Sequence, residues 1–198
     1  SRSARPGAPP PGGGGGGGAG AGGRGGGGAA PGRQEDDERG GLGLESLARA
    51  MPGVQTSDDA ADRVAYARDL WPRHHLAVRA GNVAQHRPAG IVWPTSTEEV
   101  ARIVRWAHDT GTPIVPFGAG SGVCAGVLPH EKIIVLDLKR MTRWRSLDEE
   151  ARTLDVESGQ MGLPLEEDLG RRGFTLGHFP SSILCSTVGG WVAARSAG

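Results

Sequence analysis

Cysteine is almost missing from this chain: Cys124 and Cys185 are its two thiols, with no CxxC pair and no metal-ligand spacing around them. That excludes a disulfide framework and a structural zinc site, and it suits a reducing, cytoplasmic compartment. Excess charge is missing as well. The 22 basic residues are matched by 22 acidic ones, so no global field draws the protein toward nucleic acid or an acidic membrane surface. No apolar run approaches the ~20 residues a bilayer span requires, and the amino-terminal stretch lacks the short hydrophobic core of a secretion signal. Aromatic residues make up only 5% of the chain. Trp71, Trp93, Trp106, Trp144 and Trp191 are scattered without interleaved basic residues, so they read as packing groups and not as a base-stacking platform.

Glycine, by contrast, is oversupplied. Of 35 glycines most crowd into the first forty-five positions, where Gly12–Gly18 and Gly25–Gly28 run uninterrupted. With almost no apolar side chain to offset the entropy of ordering glycine, residues 1–41 are expected to be a disordered tail. Arg24 and Arg33 lie too far apart, and too far from any aromatic, to make an RNA-binding Arg-Gly segment, and Glu35-Asp36-Asp37-Glu38 reads as a solvated boundary. About 155 residues remain, enough for one compact domain or two small subdomains.

Hydrophobic periodicity organises that remainder. Leu42, Leu44, Leu47 and Ala48 recur at helical spacing before the Pro52-Gly53 stop, and a second helix is expected from Ser57 to about Arg68. Residues 70–85 lack a clear period and read as loop. Ala89–Pro94 is a buried strand, and Ser96 with Glu99 forms a capping box that opens a helix from Thr97 to Thr110. That helix carries Val100, Ile103, Val104 and Ala107 on one stripe and ends at Gly111. With the strand Pro113–Phe117 it completes a βαβ unit. Lys132–Leu138 and Thr153–Glu157 read as strands, with Asp148–Ala151 turning the chain between them. A helix starts at Gly162-Leu163-Pro164 and stops at Gly173, and a last one covers Thr187–Ala197.

Two loops carry the chemistry. The first, Pro116-Phe117-Gly118-Ala119-Gly120-Ser121-Gly122, leaves the βαβ unit directly; the second runs from Pro180 through Ser181, Ser182, Ile183, Leu184, Cys185, Ser186 and Thr187 to Val188-Gly189-Gly190-Trp191. Both join residues that bare the backbone N–H with hydroxyl donors, which is what a pyrophosphate needs. Gly120-x-Gly122-x-x-Ala125, with Asp137 further along, matches a loose dinucleotide fingerprint of the doubly wound kind. That alternative requires a crossover helix of ~10 to 12 residues behind the loop, and Val123–Lys132 is short and broken by Pro129. A glycine turn with no ligand is the plain alternative. His74, His75 and His86 have no companions at ligand spacing, so no metal site is expected.

The order of these loops, and above all Gly177-His178-Phe179-Pro180-Ser181-Ser182 followed by Ser186-Thr187-Val188-Gly189-Gly190-Trp191, resembles the FAD-binding domain of the vanillyl-alcohol oxidase and p-cresol methylhydroxylase superfamily. Within it the chain is most similar to the FAD-linked oxidase group of D-lactate and glycolate dehydrogenases and alkylglycerone-phosphate synthase. The resemblance implies an α+β, two-lobed FAD-binding domain of the p-cresol methylhydroxylase type over residues 89–198, preceded by a helical lead-in at 42–88 and truncated at its C-terminal side. It also implies FAD contacts from Pro116–Gly122, from Ser181–Thr187 with Gly189 and Gly190 at a helix N-terminus, and from Ala194, Arg195, Ser196 and Ala197.

The first loop contains no histidine, so the flavin is expected to be dissociable. His178 falls near the flavin by the resemblance, either as a group that polarises substrate or as a hydrogen-bonded structural histidine. Catalytic and substrate residues of the family are expected beyond Gly198. The implied activity is oxidation of a 2-hydroxy acid or similar small alcohol. Two alternatives stand beside it: a flavin-dependent transferase of the alkylglycerone-phosphate synthase kind, and a piece too incomplete to bind FAD well.

Overall fold

The computed structural model describes residues 43–82 and 86–197. The glycine-rich tail expected at 1–41, with its arginines and acidic run, lies outside the described residues.

A four-stranded sheet forms the centre, in the order β1 (Gln55–Ser57), β2 (Gly90–Trp93), β4 (Ile134–Asp137), β3 (Ile114–Phe117). β1 runs antiparallel to β2, whereas β2 and β3 both run parallel to β4. The β2–α4–β3 crossover therefore spans the central strand, with α4 covering Thr97–Thr110. Its expected signals are all in use. Ser96 accepts from the Glu99 N–H, Glu99 reaches back to the Thr95 N–H, and Gly111 closes the helix at φ 67°, a conformation that favours glycine.

Period-two alternation sorts the sheet's side chains onto its two faces. Val92, Ile134 and Leu136 face one layer, where Ile103 of α4 and Leu44 and Leu47 of α1 (residues 43–50) complete a core. Ile91, Val135 and Phe117 face the other, against Tyr66. The segment before β2 thus contributes an edge strand and a core helix.

Three sequence expectations are corrected here. The second helix is shorter than Ser57 to Arg68: α2 covers Ala60–Ala65, because Asp59 caps it by accepting from the Ala61 N–H at 2.8 Å while Ser57 pairs in β1. Residues 70–85 contain a helix, α3 (Pro72–Arg79), hidden by its polar composition but started by Pro72 in its first turn. The turn at 148–151 serves a strand that escaped notice, β5 (Trp144–Asp148), which pairs antiparallel with β6 (Thr153–Val156). Its burial is uneven, so no alternation marks it.

Glu157, at the end of β6, fastens this ribbon. Its carboxylate accepts from the Arg143 N–H at 2.9 Å and pairs with the Arg143 and Arg145 guanidiniums at 2.9 and 3.3 Å. The Arg143 hydrogen bonds hold the Glu157 carboxyl below the ordinary 4.5. Beyond it stand α5 (Gly162–Arg171) and α6 (Val188–Ala194), the latter shorter than the expected Thr187–Ala197 because Arg195 turns left-handed at φ 50°.

Two outcomes follow from this packing. Leu47 is fully buried, and Leu47→Ala is expected to cost about 2–5 kcal/mol in chemical denaturation. Because the folded-state value of Glu157 is depressed, its contribution is complete above pH 4.5 and disappears as acid protonates it. Denaturation of wild type and Glu157→Gln should therefore differ most at neutral pH, with the gap closing in acid.

Candidate functional site

The first loop departs from β3 under two steric constraints. A Cβ on Gly118 would stand 2.4 Å from the Thr187 hydroxyl oxygen of the second loop, so only glycine lets the two loops close on each other. Gly120 takes φ +68°, and a Cβ there would also strike the Phe117 ring at 2.6 Å. The amides of Ala119, Gly120, Ser121 and Gly122 donate to no protein group among the described residues. A left-handed step between successive N–H groups is the geometry that makes an anion-binding concavity. No helix follows this loop before β4, so the doubly wound alternative fails as expected.

The second loop is mostly internal bracing. Pro180 is buried, Ser181 is exposed, and Ile183–Cys185 form one 3₁₀ turn with Leu184 pointing outward at 70% exposure. The Ser186 hydroxyl donates to the Ser182 carbonyl and accepts from the Trp191 indole, both at 2.7 Å. It has no proton left for a ligand. Thr187 is 2% exposed, and its Oγ1 accepts from the Gly190 N–H at 3.3 Å and lies against Gly118.

The first amides at the expected anion-facing helix end are engaged within the protein. The Val188 N–H donates to the Gln160 carbonyl at 2.9 Å and the Gly189 N–H to Ser158 at 2.8 Å. The glycines serve packing: a Cβ on Gly189 would sit 2.7 Å from that of Ser158. Ala194, Arg195 and Ala197 are exposed beyond α6, with Ser196 partly covered. His178 lays its ring edge-on to Trp191 at 4.8 Å, and its Nε2 is buried with no partner among the described residues.

A family model described as FAD binding domain matches residues 88–198. The chain belongs to that family. It is 36% identical over 136 residues to the alkyldihydroxyacetonephosphate synthase of Trypanosoma brucei brucei, covering 66% of this chain and 21% of that protein. It is 31% identical over 147 residues to glycolate oxidase subunit GlcD of Bacillus subtilis, covering 74% and 29%. A solved alkyldihydroxyacetonephosphate synthase superposes with TM-score 0.73 at 33% identity, over 79% of this chain and 30% of that one. Substrate-bound p-cresol methylhydroxylase shares the fold, with TM-score 0.60 at 18% identity over 83% and 30%. The chain thus spans a fifth to a third of the length of the relatives it matches. FAD is the cofactor of this domain, and the expected p-cresol methylhydroxylase-type architecture is the one found. No described helix is long and apolar enough to cross a membrane.

In this FAD-binding domain the first loop is held at both ends, chiefly by residues that the sequence left unmarked. At its start, the Lys139 ammonium donates to the Gly118 carbonyl at 2.9 Å and to the Asp137 carboxylate at 2.5 Å. Asp137, considered in the sequence as a nucleotide-facing acid, is fully buried at the end of β4 and also accepts from the Tyr66 hydroxyl. Burial and that carboxylate push the Tyr66 hydroxyl well above its ordinary range. At the far end, the Leu70 N–H donates to the Gly122 carbonyl, and Asp69 accepts from the Ala125 N–H, both at 2.9 Å.

Asp69 is 1% exposed and accepts from His74 at 2.5 Å as well. Burial pushes its carboxyl up, but the hydrogen bonds from His74, Trp71 and Ala125 outweigh burial and hold it below the ordinary value. His74 is therefore committed to loop support, and the described residues hold no group of three metal ligands. The local signal for Asp69 was its place just ahead of Trp71-Pro72, where its carboxylate takes the Trp71 N–H.

Two glycines of one loop should respond oppositely. Gly118→Ala forces a methyl onto Thr187 and is expected to abolish flavin retention, whereas Gly122→Ala meets nothing within 4 Å and should retain it. Flavin absorbance of the purified full-length variants, with circular dichroism to verify folding, checks both.

Proposed function

We propose that this domain holds FAD without a covalent tether and serves an oxidoreductase acting on a 2-hydroxy acid or similar alcohol. The observation that carries the reading is the glycine loop with unpaired amides, closed against Thr187 by the bare Cα of Gly118. Pro116 and Phe117 deliver the chain to the site, and the amides of Ala119–Gly122 with the Ser121 hydroxyl take the pyrophosphate. Ser181 and Ser182 add hydroxyls, and Ile183, Leu184 and Cys185 lie along the flavin. Ser186, Gly189 and Gly190 brace Thr187 and touch the cofactor little, because their polar groups are engaged within the protein or packed away. Ala194–Ala197 border the same side. Bound FAD supplies a two-electron acceptor for the hydride of the substrate's carbinol carbon. The hydroxy-acid direction is supported by relatives such as the Bacillus subtilis glycolate oxidase subunit and a D-2-hydroxyglutarate dehydrogenase, 33% identical over 121 residues.

A second reading rests on the alkyldihydroxyacetonephosphate synthases, which match at up to 37% identity. On it the protein is a flavin-dependent transferase that exchanges an acyl for an alkyl group with no net redox change. Anaerobic addition of glycolate, D-lactate or D-2-hydroxyglutarate to the full-length protein separates the two. Bleaching of the oxidised flavin band is the expected result; turnover of an acylated dihydroxyacetone phosphate without bleaching would favour the transferase. Acid precipitation should leave all flavin in the supernatant, and a yellow pellet would disprove dissociable FAD.

A further inference from the structure

We propose that Lys139 is a phosphate-binding residue of the cofactor site, its ammonium meeting the FAD pyrophosphate from beneath the first loop. The assignment rests on the reading that residues 118–122 hold that pyrophosphate. Neither glycine loop contains a basic residue, and the first amides of α6 are spent inside the protein. A diphosphate in the loop would otherwise meet only amides and hydroxyls. Lys139 supplies the missing charge. Its Nζ lies 2.9 Å from the carbonyl of Gly118, the residue that opens the run of unpaired amides.

Three features make this ammonium more than a brace. It carries three N–H donors. Two are committed, one to Gly118 and one to Asp137, and no third acceptor is found among the described residues. Its side chain is 36% exposed while that of Asp137 is 1% exposed, so the cation is the solvent-facing end of the pair. Finally, the ammonium stands 4.9 Å from the Phe117 ring centroid and 5.2 Å from that of Tyr66, which fixes it under the loop. Asp137 is paired with this ammonium and offsets part of its charge, but its oxygens also accept from Tyr66 and from the Lys139 backbone N–H, so the carboxylate stays on the protein side and the third ammonium donor is left for a ligand oxygen.

The test is titration of deflavinated full-length protein with FAD and, in parallel, with riboflavin, which has no phosphate. Lys139→Met should weaken FAD binding roughly 10- to 100-fold, as expected for one charged hydrogen bond, and flatten the dependence of log Kd on log salt concentration. Riboflavin binding should be unchanged, and Lys139→Arg should restore the wild-type salt dependence. Should Lys139→Met misfold because Asp137 is left buried and unpaired, the double variant Asp137→Asn/Lys139→Met, checked by circular dichroism, removes that penalty and should show the same selective loss. FAD affinity and salt dependence equal to wild type would overturn the proposal. So would parallel losses of FAD and riboflavin at unchanged salt dependence, the signature of a purely structural lysine. Wild-type protein that takes up riboflavin and FAD equally would also overturn the pyrophosphate reading of the loop itself.

Discussion

A chain that leaves β3 at Phe117 must return to β4 beside it, in the same direction, with no helix to carry its backbone hydrogen bonds. Parallel neighbours are usually joined through a helix because a helix satisfies its own amides and carbonyls. Here residues 118–133 make the return as loop, and their polar groups find partners elsewhere or remain open. Lys139 takes the Gly118 carbonyl, Leu70 takes that of Gly122, and Asp69 receives the Ala125 amide. Among the amides that stay unpaired is the run from Ala119 to Gly122. On the proposed reading those amides receive the pyrophosphate, so the same topological choice creates the need for bracing and leaves donors open for a ligand.

The braces come from distant parts of the sequence, and this explains how the domain is assembled. Asp69 and Tyr66 belong to the segment ahead of β2, Asp137 and Lys139 to the end of the central strand, and Thr187 to the second loop. Asp69, Asp137 and Thr187 are buried where water cannot replace a lost partner, so the arrangement holds together as a unit. A buried carboxylate such as Asp69 costs several kcal/mol to desolvate, and its hydrogen bonds from His74, Trp71 and Ala125 offset that cost only in this arrangement. The lead-in segment is therefore mechanically part of the cofactor loop, although the family match begins at residue 88.

What was legible in the sequence divides along a physical line. The βαβ unit could be read because its signals are local: the capping box at Ser96 and Glu99, the apolar stripe of α4, and Gly111. The first loop and the lack of a helix behind it were also visible, since glycine spacing and Pro129 act within a few residues. α3 and β5 were not, because their side chains follow neither period and their placement depends on contacts such as Asp69 with His74 and Arg143 with Glu157. Gly189 and Gly190 show what local reading leaves out. Their conformational freedom suggested approach to an anion, and nothing in the sequence signalled the packing they also serve: Ser158 occupies the space that Gly189 leaves, and the two amides donate to the Ser158 carbonyl and the Thr187 hydroxyl.

The remaining coupling is between the two loops. Trp191 anchors Ser186 through its indole, and Gly162 yields the room for that indole, a Cβ there lying 2.3 Å from the ring. Ser186 in turn fixes Ser182, and its neighbour Thr187 is pressed onto Gly118. The position of the first loop is thereby referred, through rigid contacts and one hydroxyl, to the α5–α6 region more than forty residues later in the chain. Cofactor loops need this precision because the free energy of binding depends on amides already aimed at the phosphate before it arrives. A loop free to relax would fold its amides onto its own carbonyls. Thr187 and Lys139 hold the start of the first loop at Gly118, Leu70 and Asp69 hold its far end, and the open amides lie between these two anchors.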